Sequence, residues 1–214
     1  MTAHRPGMPQ LKMPEKAVRR TVQLLVGLFF YGLGLAMLVR SVLGAAPWDV
    51  LTLGLSNHLP LSFGTVMVAV SVIVLLCWIP LRERPGPATV LNALLVGPAA
   101  DAGLALFPQT ADLWVRVLYL GGGVLVVAAA TGLYIGARFG SGPRDGLMTG
   151  LHRVTGLPIW AVRTGLEVTV VVIGWLLGGV FGVGTVIFAF SIGPLCQYFM
   201  SVFRVRLARD SPAP

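Results

Sequence analysis

The stretch Gly44-Ala-Ala-Pro-Trp-Asp-Val-Leu-Thr-Leu-Gly-Leu55 returns 96 residues later as Gly140-Ser-Gly-Pro-Arg-Asp-Gly-Leu-Met-Thr-Gly-Leu151, with six of twelve positions identical. Held at that offset without a gap, residues 17–107 agree with 113–203 at 21 of 91 positions. A second cluster forms where Gly86, Thr89, Val90, Ala93, Gly97 and Pro98 meet Gly182, Thr185, Val186, Ala189, Gly193 and Pro194. Chance matches in an apolar chain would scatter over Leu and Val. These concentrate instead at Gly, Pro, Asp and Thr, the residues that set backbone shape and satisfy its polar groups. The chain is therefore read as one unit written twice, repeat 1 at 19–107 and repeat 2 at 113–203, and whatever the first copy folds into the second must fold into as well.

Composition settles the solvent. With 56% apolar and 11% charged residues and a mean hydropathy of +0.83, the chain has too little polar surface to cover itself in water. The net charge of +8 lies in the gaps between apolar runs and at both ends, without the aromatic interleaving of a nucleic-acid groove, so nucleic acid is not expected as a partner. Cys77 and Cys196 both sit inside apolar runs with no ligand-type neighbours at metal spacing, which argues for packing residues and against a disulfide framework or a metal site.

Residues 1–18, with three prolines and no apolar period, read as a disordered cytoplasmic tail, and 204–214, with Arg204, Arg206 and Arg209, as a basic one. The apolar run from Arg20 to Val39 is longer than a signal-peptide core and has a counterpart at 117–136, so it is the first span. Runs at 61–81 and 87–107 are long enough to cross a bilayer, whereas the short helix 47–57 reaches about half way. Repeat 2 follows the same order: a span at 117–137, a short helix at 143–153, a span at 159–178 and a last span to Phe203. The predicted fold class is an all-α membrane protein, six transmembrane helices in two inverted repeats, each with an additional short helix. Three spans per repeat is an odd number, which turns the second copy upside down. The count agrees with charge. It puts Lys12, Lys16, Arg19, Arg20, Arg82, Arg84, Arg138, Arg144, Arg153, Arg204, Arg206 and Arg209 on the side of the N-terminus and only Arg40 and Arg116 opposite, so both termini are expected in the cytoplasm.

Pro47 and Pro143 suit the first turn of a helix, where a missing N–H is no loss, and Asp49 and Asp145 can accept free N–H groups there. Capping alone accounts for both motifs. A ligand site is the other reading: two half-length helices entering from opposite faces bring their N-terminal ends toward a shared cavity. Arg144 stands where Trp48 stands in the first copy, which makes any such site asymmetric. The pairs Gly97-Pro98 and Gly193-Pro194 fall at equivalent depth in the last helix of each repeat and are expected to kink or break it. Asn92, Asp101, Ser191 and Gln197 flank them as candidate cavity residues. Glu167 lies eight residues into its span, about 12 Å deep, with Arg163 one turn before it as partner. A structural ion pair and a proton- or substrate-binding carboxylate are both open readings. Ser71 holds the equivalent place in repeat 1.

The passages Leu43-Gly-Ala-Ala-Pro-Trp-Asp-Val-Leu and Arg138-Phe-Gly-Ser-Gly-Pro-Arg-Asp-Gly-Leu147, with Arg163-Thr-Gly-Leu-Glu167 and Gly174-Trp-Leu-Leu-Gly-Gly179, resemble the YczE branch of the YczE/YyaS/YitT group of bacterial membrane proteins. The likeness covers about residues 20–203. It implies a multi-pass protein of the bacterial cytoplasmic (inner) membrane and assigns no residue a role.

No phosphate-binding loop, zincin motif or hydrolase triad is visible, so neither an enzyme nor a bound cofactor is expected. The expected function is a secondary transporter of a small polar or anionic metabolite. Its candidate substrate-binding residues are Asp49, Asp145, Arg144, Arg163, Glu167, Asn92 and Gln197. The alternative is a non-transporting membrane protein that binds and regulates a protein partner. Expected partners are the lipid bilayer and a small-molecule substrate, with a homodimer as a further candidate.

Overall fold

The computed structural model describes residues 17–205, all of whose regular structure is helical. The two tails expected at 1–18 and 204–214 lie outside the described residues except at their inner ends. There Ala17 and Val18 belong to the first helix, and residues 204–205 follow the last one.

Six helices have the length and apolarity to cross a bilayer: α1 Ala17–Ser41, α3 Phe63–Leu81, α4 Pro87–Leu106, α5 Leu113–Gly136, α7 Ile159–Leu176 and α8 Val183–Phe203. Two are short, α2 Pro47–Ser56 and α6 Pro143–Thr155. α5 starts four residues earlier than its apolar run suggests because Asp112 caps it, accepting the Trp114 N–H at 2.9 Å.

The offset seen in the sequence is carried by the backbone. Each helix of α1–α4 starts 96 residues before its counterpart in α5–α8. Left-handed residues recur at the same interval: Val42 with Arg138, Gly44 (φ 134°) with Gly140 (φ 125°), and Arg82 with Gly178. Gly44 and Gly140 close the turn into each short helix at a φ that side chains rarely adopt, which explains why glycine appears there twice.

Contacts between the two units are reciprocal. Arg20 Nε donates to the Ala137 carbonyl at 2.8 Å, and its equivalent Arg116 donates to the Ser41 carbonyl at 2.7 Å. Their Nη2 groups reach Arg138 and Val42 in the same exchanged way. Ala88 N donates to the Phe139 carbonyl, and Gly184 N to the Leu43 carbonyl. An arginine from the first turns of α1 or α5 thus satisfies the orphan carbonyls at the end of the other, a favourable meeting of cation and helix C-terminus. α1 and α5 therefore run antiparallel as a central pair, with α4 packed on α1 and α8 on α5. The short helices are exchanged: α2 packs on α7 and α6 on α3.

The expected break at the paired Gly-Pro sites is corrected. α4 and α8 run unbroken through Gly97-Pro98 and Gly193-Pro194. A proline deletes one backbone bond of the ladder, and within a membrane the remaining bonds are strongly favoured over an interruption that would leave several groups unsatisfied. Gly97 serves packing instead: a Cβ there would collide with the Gly64 carbonyl, so the pair lets α3 and α4 touch backbone to backbone. Pro47 and Pro143 open α2 and α6 in their first turns, as expected.

Candidate functional site

A cavity of about 290 Å³ lies between the units, and all eight helices contribute to its wall. It is placed by the short helices, whose first residues converge on it: Pro47 and Trp48 from α2, and Pro143, Arg144 and Asp145 from α6. Trp78 Nε1 on α3 donates to the Pro143 carbonyl at 3.0 Å and fixes the start of α6. α2 is held against α7 through Gly54 and Gly174, where a Cβ on either would strike backbone of the other helix. Arg163 and Glu167 line the cavity from α7, Asn92 from α4 and Gly193 from α8. Ser71 faces it as well, so the positions equivalent to each other in the third helices both look inward.

Four anticipated residues, Asp49, Asp101, Ser191 and Gln197, fall elsewhere. Asp49 is fully buried behind the wall. Gln197 is exposed and off the cavity, because the cavity face of α8 follows Phe188, Ile192, Cys196 and Met200 at four-residue steps and Gln197 lies about 100° round from Cys196. Asp101 accepts from the Ser62 hydroxyl (2.6 Å) and from Gly64 N (2.7 Å), tying α4 to the start of α3.

The two motif aspartates behave differently. Asp145 takes the expected capping role, accepting the Gly142 N–H at 3.2 Å. Asp49 accepts no N–H: the backbone N–H groups of Asp49 and Val50 turn to the Ala46 carbonyl at 2.8 and 3.0 Å, and neither carboxylate oxygen has a hydrogen-bond donor. Capping by Asp49 is thus overturned. Asp49 faces Arg144 at 3.5 Å instead, and the guanidinium stacks over the Trp48 ring at 5.3 Å. The equivalent positions 48 and 144 therefore meet face to face between the units. A buried carboxylate without donors is costly, and the arginine is what offsets that cost.

Arg163 and Glu167 pair at 2.9 Å, as their spacing suggested, on the side of the cavity where α7 and α8 stand apart. Sequence reasoning did not single out Tyr31, Tyr134 or Thr131. The two rings meet edge to face at 5.9 Å and line the cavity beside Thr131. Hydroxyl-bearing side chains in the middle of apolar spans were the available signal. Among the described residues no cluster of His, Cys, Asp and Glu could hold a metal ion.

Residues 18–201 match a family described as of unknown function, DUF6198. The chain is similar to an uncharacterized protein of Haemophilus influenzae, 40% identical over 179 residues covering 84% of this chain and 82% of the relative. It is similar to the uncharacterized membrane protein YczE of Bacillus subtilis, 27% identical over 188 residues covering 87% of each, and to that organism's uncharacterized protein YyaS, 28% identical over 181 residues covering 83% and 90%. No solved structure matches it.

Proposed function

The chain belongs to DUF6198, within the group that contains YczE and YyaS, and from that premise we propose that this multi-pass membrane protein is a secondary transporter of a small polar or anionic metabolite. The observation that carries the reading is the cavity itself. It holds both short-helix N-termini with Arg144, Asp145 and Glu167, and lies where two equivalent units meet. Inverted-repeat carriers build substrate sites in this way. The antiparallel α1–α5 pair and the reciprocal arginine contacts support an inverted repeat.

The units are not in the same state. α3 packs closely on α4, while α7 and α8, which both line the cavity, make almost no contact. Exchanging the two arrangements would close one side and open the other, which is what alternating access requires. Charge supports the orientation. Arg20 meets Arg138 at one end, where Arg153 also pairs with Glu83 at 3.1 Å, whereas Arg116 meets Val42 at the other end. The basic end, and both termini with it, belongs in the cytoplasm of a bacterial inner membrane.

Spin labels on the equivalent, exposed pairs Ile73/Leu94 and Thr169/Phe190, in a cysteine-free background, test the exchange. Two distance populations are expected at each pair, with ligand or pH shifting them in opposite senses. One unchanging distance at both pairs across all conditions would remove the transport reading.

A further inference from the structure

We propose that the cavity binds a small zwitterion, whose carboxylate pairs with Arg144 and whose ammonium pairs with Asp145. The inference deepens the transport reading and rests on it only in taking the cavity as the substrate site.

Charges and hydrogen bonds around the cavity do not balance. Two acids are already matched with cations: Asp49 with Arg144 at 3.5 Å and Glu167 with Arg163 at 2.9 Å. Asp145 is left over. It accepts the Gly142 N–H, but among the described residues no cation stands within ion-pair distance of it. A carboxylate at such a site, on a membrane protein's interior, calls for a proton or a cation.

The donors are in surplus beside it. Arg144 carries five N–H groups, and its one polar partner among the described residues is Asp49, at a distance beyond a good hydrogen bond. The guanidinium keeps its unpartnered N–H groups at the cavity wall, and the planar fork matches a carboxylate in two-point geometry. The Trp48 ring under the guanidinium lines the same wall. Donors in excess at position 144, with an unpaired acid at 145, place opposite demands on adjacent points of one cavity. A ligand with a single charge answers one demand and leaves the other. Acids alone gain nothing at Asp145, and amines alone leave Arg144 as it is.

The test uses purified full-length protein and three matched sets of compounds. They are glycine, β-alanine, γ-aminobutyrate and the common L-amino acids; the corresponding acids without the amine; and the corresponding amines without the carboxylate. At least one zwitterion is expected to raise the unfolding midpoint, while its two single-charge analogues do not. Asp145→Asn should weaken that binding about thirtyfold or more. Arg144→Lys, which keeps a cation facing Asp49 and loses the planar fork, should weaken it about tenfold. Equal stabilisation by an acid or an amine, or no shift with any member of the sets, overturns the proposal. A zwitterion that binds but is not exchanged across proteoliposomes removes the transport reading and leaves the site. Accumulation of a metabolite lacking either charge does the reverse.

Discussion

The seam between α3 and α4 and the equivalent seam between α7 and α8 are built from the same pattern and end in opposite states. In the first, Gly64 and Gly97 bring two backbones together, and Asp101 locks the ends by accepting from Ser62 and Gly64. In the second, the positions of Gly64, Asp101 and Ser62 are held by Trp160, Gln197 and Pro158. Gly193 alone keeps its glycine, and a Cβ there would meet nothing within 4 Å. The bulky, exposed Trp160 and the missing carboxylate lock explain why α7 and α8 are the least buried of the six spans. A repeat thus conserves its backbone turns while a few side chains decide which seam closes. The motif acids diverge in the same manner, Asp145 capping its own helix and Asp49 bound to the other unit through Arg144.

The largest expected effect breaks the comparison at the acids. Asp49→Ala leaves the Arg144 guanidinium with no counter-charge and should cost about 3 kcal/mol or more in detergent-solubilised unfolding. Asp145→Ala, which removes a cap, should cost about 1 kcal/mol. Equal losses would show that the two acids share one role.

Next come the seams themselves. Gly97→Ala drives a methyl into the Gly64 carbonyl and should destabilise by about 2 kcal/mol, the usual range for overpacking a tight contact. Removing the lock with Asp101→Ala should cost about 1 kcal/mol by loss of the α3 cap, whereas Gln197→Ala at the equivalent place should change the midpoint hardly at all.

The smallest changes are expected on the open side. Gly193→Ala enters empty space and should be neutral or slightly stabilising, within about 1 kcal/mol, because alanine favours the helix. A loss comparable to that of Gly97→Ala would mean that α7 and α8 are packed in the resting protein. At the mouth of the cavity, replacing Arg163 and Glu167 together by Met should leave stability within about 1 kcal/mol, since the pair is partly solvated. If Glu167 is a transport residue, Glu167→Gln should lose uptake while still folding. Full uptake in a stable double variant would restrict the site to the motif residues.

The sequence alone determined the six spans, the two short helices and the recurrence of their turns. Those features follow from local causes that are written in order along the chain: apolar runs long enough for a bilayer, prolines in first turns, and glycines where φ is positive. The Arg163–Glu167 pair was legible for the same reason, being one helical turn apart. Only the tertiary structure decided which polar groups share the cavity. Asp49 and Arg144 are 95 residues apart and meet because the short helices are exchanged between units, a relation that no local spacing records. The placing of Tyr31 and Tyr134 at the cavity wall, and of Gln197 away from it, depends on how each helix is rotated about its axis. In an apolar chain that rotation is weakly encoded, because lipid and protein interior favour the same residue types and backbone packing at a few small residues selects the face.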